Sequence, residues 1–281
     1  MKKPLMTLIV TAVALVAMLP VTTMPVFAQG RGPKPPTGPA PVTPDGKPDF
    51  SGLWERPYTP DMTVATRNQL PDASLPDDPT PAPNARPNAP KRKLLPFTAL
   101  GKAEWEAYDA ANGDYTGACM PFGLIRSINS PDPLQIMQNA KYLGLLFEQN
   151  TWFHLVRLNA EHAKNLTPTW FGDSVGHWDG NTLVIDTIGF NGRTRLDTIG
   201  HPHSDKLHVI ERYARPDLGH INYEITIDDP VTFTRPWKNT RVFTLRPDWE
   251  IMEYSCEENN KDFFEGHIKG IGAPGKPGSS K

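Results

Sequence analysis

The sequence predicts a mainly β domain, an antiparallel barrel or a two-sheet sandwich, with one N-terminal helix and a proline-rich arm. Three observations carry this. Short apolar stretches recur from Leu134 to Tyr254. Turn-forming residues punctuate most of them, which is the spacing of sandwiches and barrels. Only one segment carries both helix start and helix stop signals.

The elements follow in chain order. Residues 1–28 have the three parts of a secretory leader: Lys2 and Lys3, an apolar run from Leu5 to Leu19, and Val26-Phe27-Ala28 before a cut. The run is short for a bilayer span, which needs roughly 20 residues, and Pro20 and Pro25 follow it. Export with cleavage is the expectation, placing the mature chain in the periplasm or outside the cell. Residues 29–48 form a Gly/Pro-rich tether. The folded domain is expected over 49–269, opening with a strand at Asp49–Trp54. Asp61–Pro90 is a Pro/Asp/Asn-rich arm, and 17 of the 31 prolines fall between Pro33 and Pro96. The helix is expected near 98–112, with Thr98 as cap and Gly113 as left-handed stop. Strands are expected at Leu134–Met137, Tyr142–Phe147, Thr151–Leu158, Thr182–Ile188, Leu207–Tyr213, His220–Ile227, Arg241–Leu245 and Trp249–Tyr254. Asp179-Gly180-Asn181 marks a hairpin joining Gly176–Trp178 to Thr182–Ile188. Residues 270–281 read as a flexible tail.

Charge and cysteine content narrow the function classes. There are 29 basic and 31 acidic residues, two of the basic ones in the leader. A mildly acidic mature chain argues against nucleic-acid and anionic-lipid partners. No later stretch is long and apolar enough to span a membrane. In an oxidising compartment the only two cysteines, Cys119 and Cys256, are expected to form one disulfide; two buried thiols are the other reading. They are too far apart in sequence for a CxxC redox or zinc motif.

Two resemblances add to this. Gly52-Leu53-Trp54 in a first strand is similar to the Gly-x-Trp of lipocalins, and implies a barrel whose Trp plugs one end. Three longer stretches, Asp49–Trp54, Trp170–Phe190 and His203–Trp237, resemble a family of secreted bacterial proteins of unassigned function. The shared patterns include Trp170-Phe171-Gly172-Asp173-Ser174-Val175-Gly176, Leu207-His208-Val209-Ile210-Glu211-Arg212 and Asp228-Asp229-Pro230. That resemblance implies a β-rich secreted domain and no particular reaction.

Candidate chemistry gathers between residues 150 and 260. His201-Pro202-His203-Ser204-Asp205-Lys206-Leu207-His208 is the densest polar cluster. His203, His208, Asp186 and Asp205 are the candidates for acid–base catalysis, with Arg212 fixing a charged group. A metal set of His201, His203 and His154 is the third reading, since imidazoles are common ligands. Capping of backbone groups by the same loop is the bland alternative. A regular strand at Leu207–Tyr213 turns His208 away from Glu211. Asp186 shares a face with Val184 and Ile188 in an apolar strand, so it is expected indoors, as a base or as an anchor. His154 reads as core or pocket lining, with Arg157 on the opposite face. Trp170, Trp178, Asp173 and His162 suit a ligand cleft that stacks rings, and suit an ordinary core as well. Ser174 lacks the strand–turn–helix context of a nucleophile elbow. Asp228-Asp229 reads as a turn cap. The expected functions are an acid–base enzyme acting on a small molecule, a calycin-like carrier of an apolar or aromatic ligand, or a metal-dependent hydrolase. The expectation is no cofactor, or else a divalent metal.

Overall fold

The computed structural model describes residues 34–79, 90–109, 114–258 and 260–261. Contacts separate Met1–Lys34 from Pro35–Lys281, and the second unit holds every element below. The leader, the stop residue Gly113 and the tail from 270 lie outside the described residues.

Ten strands build the domain: β1 Gly52–Glu55, β2 Gln69–Pro71, β3 Leu134–Gln138, β4 Tyr142–Phe147, β5 Phe153–Leu158, β6 Asp173–Asp179, β7 Thr182–Ile188, β8 His208–Ala214, β9 His220–Asp228 and β10 Trp237–Leu245. Nine of them close a barrel in the order β1-β3-β4-β5-β6-β7-β8-β9-β10, and β2 extends the other half of the β10 edge. Closure runs through Trp54, which opposes Leu134 on one side and Leu245 on the other. A closed sheet has no free edge to template aggregation.

Every pairing around the barrel is antiparallel except β5–β6, which is parallel. Antiparallel neighbours need only a tight turn, whereas a parallel pair needs a crossover of a dozen residues or more. Residues 159–172 supply that crossover. It lands at Gly172, whose φ is +74° and whose missing Cβ would sit 2.7 Å from Thr187 Cγ2, so only glycine fits there. The β6–β7 hairpin closes at Gly180 with φ +61°, as the turn residues predict.

Strand alternation divides the wall into two faces. Leu183, Ile185 and Thr187 of β7, Val209, Glu211 and Tyr213 of β8, and Asn239, Arg241 and Phe243 of β10 are buried in the lumen. The apolar members join one continuous core with Trp54, Phe147 and Val156. The Trp54 indole donates to the Phe50 carbonyl at 3.0 Å, and the Arg215 guanidinium lies 4.8 Å over its ring.

Four sequence expectations are corrected. The helix α1 spans only Ala99–Glu106. Thr98 caps it through the Gly101 amide, but the chain leaves the helix so that Tyr108 packs on Gly200. A second helix, α2 Leu124–Asn129, was not expected: it is only six residues long and all six are buried, the polar Arg126, Ser127 and Asn129 included, so no polar face turned to water marks it. Trp249–Tyr254 is not a strand: after Leu245 the chain turns off the barrel, and Ile251 and Met252 lie exposed. The tether packs onto the domain from Pro35, with Leu218 N donating to Gly38 O. The Cys119–Cys256 disulfide forms, with a Cα separation of 5.5 Å. No helix among the described residues is long and apolar enough to cross a membrane.

Candidate functional site

The outer faces of β5 to β8 carry a chain of alternating charges and imidazoles. Arg157 Nη2 donates to both Asp173 oxygens at 2.7 and 2.8 Å. His162 bridges two carboxylates, Nδ1 at 2.8 Å from Asp173 and Nε2 at 3.0 Å from Asp186. His208 Nε2 donates to the other Asp186 oxygen at 2.9 Å. Register explains the assembly. Asp186 opposes Ile210, so His208 is its diagonal neighbour; Asp173 opposes Ile188, so it is diagonal to Asp186 on the other side. His162 sits in the parallel crossover, which carries it across the outer wall to close the gap between the two carboxylates. The five side chains are 22–35% exposed.

Electrostatics follow from these contacts. The hydrogen bond to Asp186 raises the His208 pKa above its ordinary value, outweighing burial. The His208 bond likewise lowers Asp186, with His162 adding to it. Asp173 is also lowered: burial opposes this, but the His162 bond and the Arg157 charge outweigh it. Because Nε2–H of His208 is committed to Asp186, neutral His208 carries its lone pair on Nδ1, which no described residue engages.

Asp186 is therefore not indoors. The inward positions of β7 are Leu183, Ile185 and Thr187, and Asp186 alternates with them. The structure unites Asp186 and His208, adds Asp173 and His162, and leaves the other candidates elsewhere. His203 is buried, its Nε2 against Thr194 Oγ1 and its Nδ1 against the Ser204 carbonyl, and burial lowers its pKa. Asp205 is exposed and pairs with Lys206. Arg212 holds Asp179 at the hairpin end. Trp178 stacks on Phe50 at 6.0 Å. Trp170 is partly buried, its carbonyl packed at Gly123. Asp229 anchors its turn through Val231, Thr232 and Ser204, as a cap.

The three histidines of the metal set take three separate partners. His154 Nε2 meets Ser174 Oγ at 2.7 Å in the lumen, and burial lowers its pKa to about 4. Ser174 goes on to Thr187, which makes a buried structural relay with no solvent-facing nucleophile. His201 pairs with Asp197, and with Asp61 these three offer ligand atoms within 4.8 Å of one another. Asp197 accepts from Met62 N and His201, and Asp61 from Thr63 and Arg92. The cluster pins the loop 189–207 against the arm.

A second polar group was missed by sequence reasoning. Inside the barrel, Glu211 Oε1 accepts from Tyr213 and Tyr223 at 3.0 and 2.9 Å. Arg241 Nε donates to Asn239 Oδ1, and Arg56 reaches the Ser127 and Asp132 carbonyls. Burial pushes Glu211 up to about 7 and both arginines down to about 10. The signal was available: Glu211 and Arg241 share their strand faces with Val209 and Phe243, so charge falls on an apolar face.

An open apolar groove of about 770 Å³ lies over β3–β5, lined by Met137, Tyr142, Leu146, Phe153, Leu155 and Met252 among others. Leu155 and Arg157 alternate on the outer face of β5, about 7 Å apart along the strand. No protein-family model, curated protein or solved structure matches the chain.

Proposed function

We propose that the protein is an exported enzyme that acts on a small molecule by proton transfer at the outer wall, with His208 as general base and Asp186 as the group that orients it. The unbroken sequence Arg157–Asp173–His162–Asp186–His208 carries this reading. A hydrogen-bonded carboxylate fixes the imidazole tautomer and stabilises the imidazolium once the proton arrives. The solvent-facing side chain lets a substrate reach Nδ1. Asp173, His162 and Arg157 are positioning residues that hold Asp186 in place. Export rests on the leader and on the disulfide.

The test is a panel of chromogenic esters, phosphates and glycosides assayed with the purified protein and with H208Q, D186N and R212Q. A substrate turned over by the parent and R212Q, with at least about 100-fold loss in H208Q and D186N, supports the reading. Equal turnover in H208Q overturns it. A second reading, a carrier of an apolar or aromatic ligand, is favoured by the groove over β3–β5. It expects saturable binding of a fluorescent apolar probe that F153S abolishes and H208Q leaves intact.

A further inference from the structure

The lumen holds charged groups that the outer-wall chemistry does not use, and several of their atoms have no partner. Arg241 is 2% exposed. Its Nε is committed to Asn239, while Nη1 and Nη2 are buried without an acceptor among the described residues. Glu211 is fully buried, and its Oε2 is equally alone. The two attract each other yet do not meet, since neither unpartnered end reaches the other. Arg56, facing the same tyrosines and Arg241, leaves its Nε unpartnered as well.

The chemistry of these open atoms points one way. Oε1 of Glu211 already accepts two tyrosine hydroxyls, so the proton of the neutral acid resides on Oε2 and makes it a donor. Arg241 offers two parallel N–H bonds and Arg56 a third donor. Asp132 offsets the Arg56 charge, while the weaker pull of Asp197 on Arg241 leaves its Nη1/Nη2 fork without an acceptor among the described residues. A buried guanidinium with an empty fork is costly, and a planar group with two acceptor oxygens is what that fork matches.

From these open donors we infer that the barrel interior is a binding site for the carboxylate of a small organic acid, held by the Arg241 Nη1/Nη2 fork and by the Oε2 side of Glu211.

The experiment uses the full mature chain, unfolded and refolded to strip any passenger, then titrated with acetate, benzoate, inorganic phosphate and chloride by calorimetry and thermal melting. R241M and E211Q are measured alongside. Replacing a buried charge by an apolar isostere is commonly tolerated, and R241K is the fallback should R241M fail to fold. The site expects saturable binding of a carboxylate, with at least a tenfold loss in R241M or R241K. E211Q should bind as tightly or more tightly, because its amide keeps a donor without the charge. H208Q should bind normally, which separates this site from the outer-wall proposal. Phosphate binding alone would replace the carboxylate with a tetrahedral anion and overturn the assignment. No saturable binding by any anion, leaving a buried water only, would overturn it too.

Discussion

The outer wall and the lumen of this barrel use similar side chains under opposite conditions. On the wall, two carboxylates, two imidazoles and one guanidinium contact one another directly at 2.7–3.0 Å. In the lumen, a carboxyl group and two guanidiniums lie close and leave several atoms unpaired. Water supplies the difference. A partly exposed pair is screened, so bringing its partners together costs little and contributes little. A buried group keeps its full desolvation cost, so an unpaired one signals either strain or a missing guest. Completeness on the wall supports proton movement; incompleteness inside supports binding.

The largest expected effect tests whether the two regions share one cooperative unit. Reducing Cys119–Cys256 opens a loop of 137 residues and should lower stability by about 5 kcal/mol. The wall histidine resonances and the lumen tyrosine fluorescence should then melt together with denaturant. Separate transitions would make the wall and the lumen independent.

E211Q comes next and probes the lumen alone. The folded pKa of Glu211, about 7, lies above its ordinary 4.5. The folded state therefore binds the extra proton between those values, and stability falls as pH rises through that window. Removing the charge should raise stability by about 3 kcal/mol above pH 7 and leave it unchanged below pH 4. His154 has the opposite sign: with a folded pKa of about 4, its contribution is lost as pH falls from 6.5 to 4. E211Q should uncover that slope. An unchanged pH profile would show that Glu211 is solvated.

D186N should have the smallest effect on stability, below about 1 kcal/mol, because the pair is screened. Its pH signature is still specific. His208 is raised, so its contribution is present below 6.5 and fades as pH rises through its folded pKa. Asp186 is lowered, so its contribution is present above 3.8 and fades as pH falls through its folded pKa. The loss in D186N should thus be greatest between about pH 4 and 6.5. The His208 pKa, read by NMR, should drop toward 6.5; no drop would break the dyad.

Much of the barrel was legible along the chain. Alternation placed Leu183 and Ile185 on one face and turned His208 away from Glu211, because side-chain direction in a strand has a fixed period of two. Turn chemistry located Gly180. The helix cap at Thr98 was readable, but the helix end was not: Tyr108 packs on a glycine 92 residues away. Asp186 shows the sharper limit. Its strand is apolar on both faces, so alternation defined two faces without saying which one meets water. Val184 and Ile188, apolar although they share the outer face with Asp186, made that choice look reversed.

The sequence alone determined which residues alternate, where the chain turns and which two cysteines can pair, since each depends on neighbours within a few positions or on a count. Only the tertiary structure decided that β5 and β6 run parallel, that the crossover lays His162 between Asp173 and Asp186, and that Arg241 stops short of Glu211. Those facts depend on strand order and register, which are set when the whole sheet closes on its core and no local segment can encode them by itself.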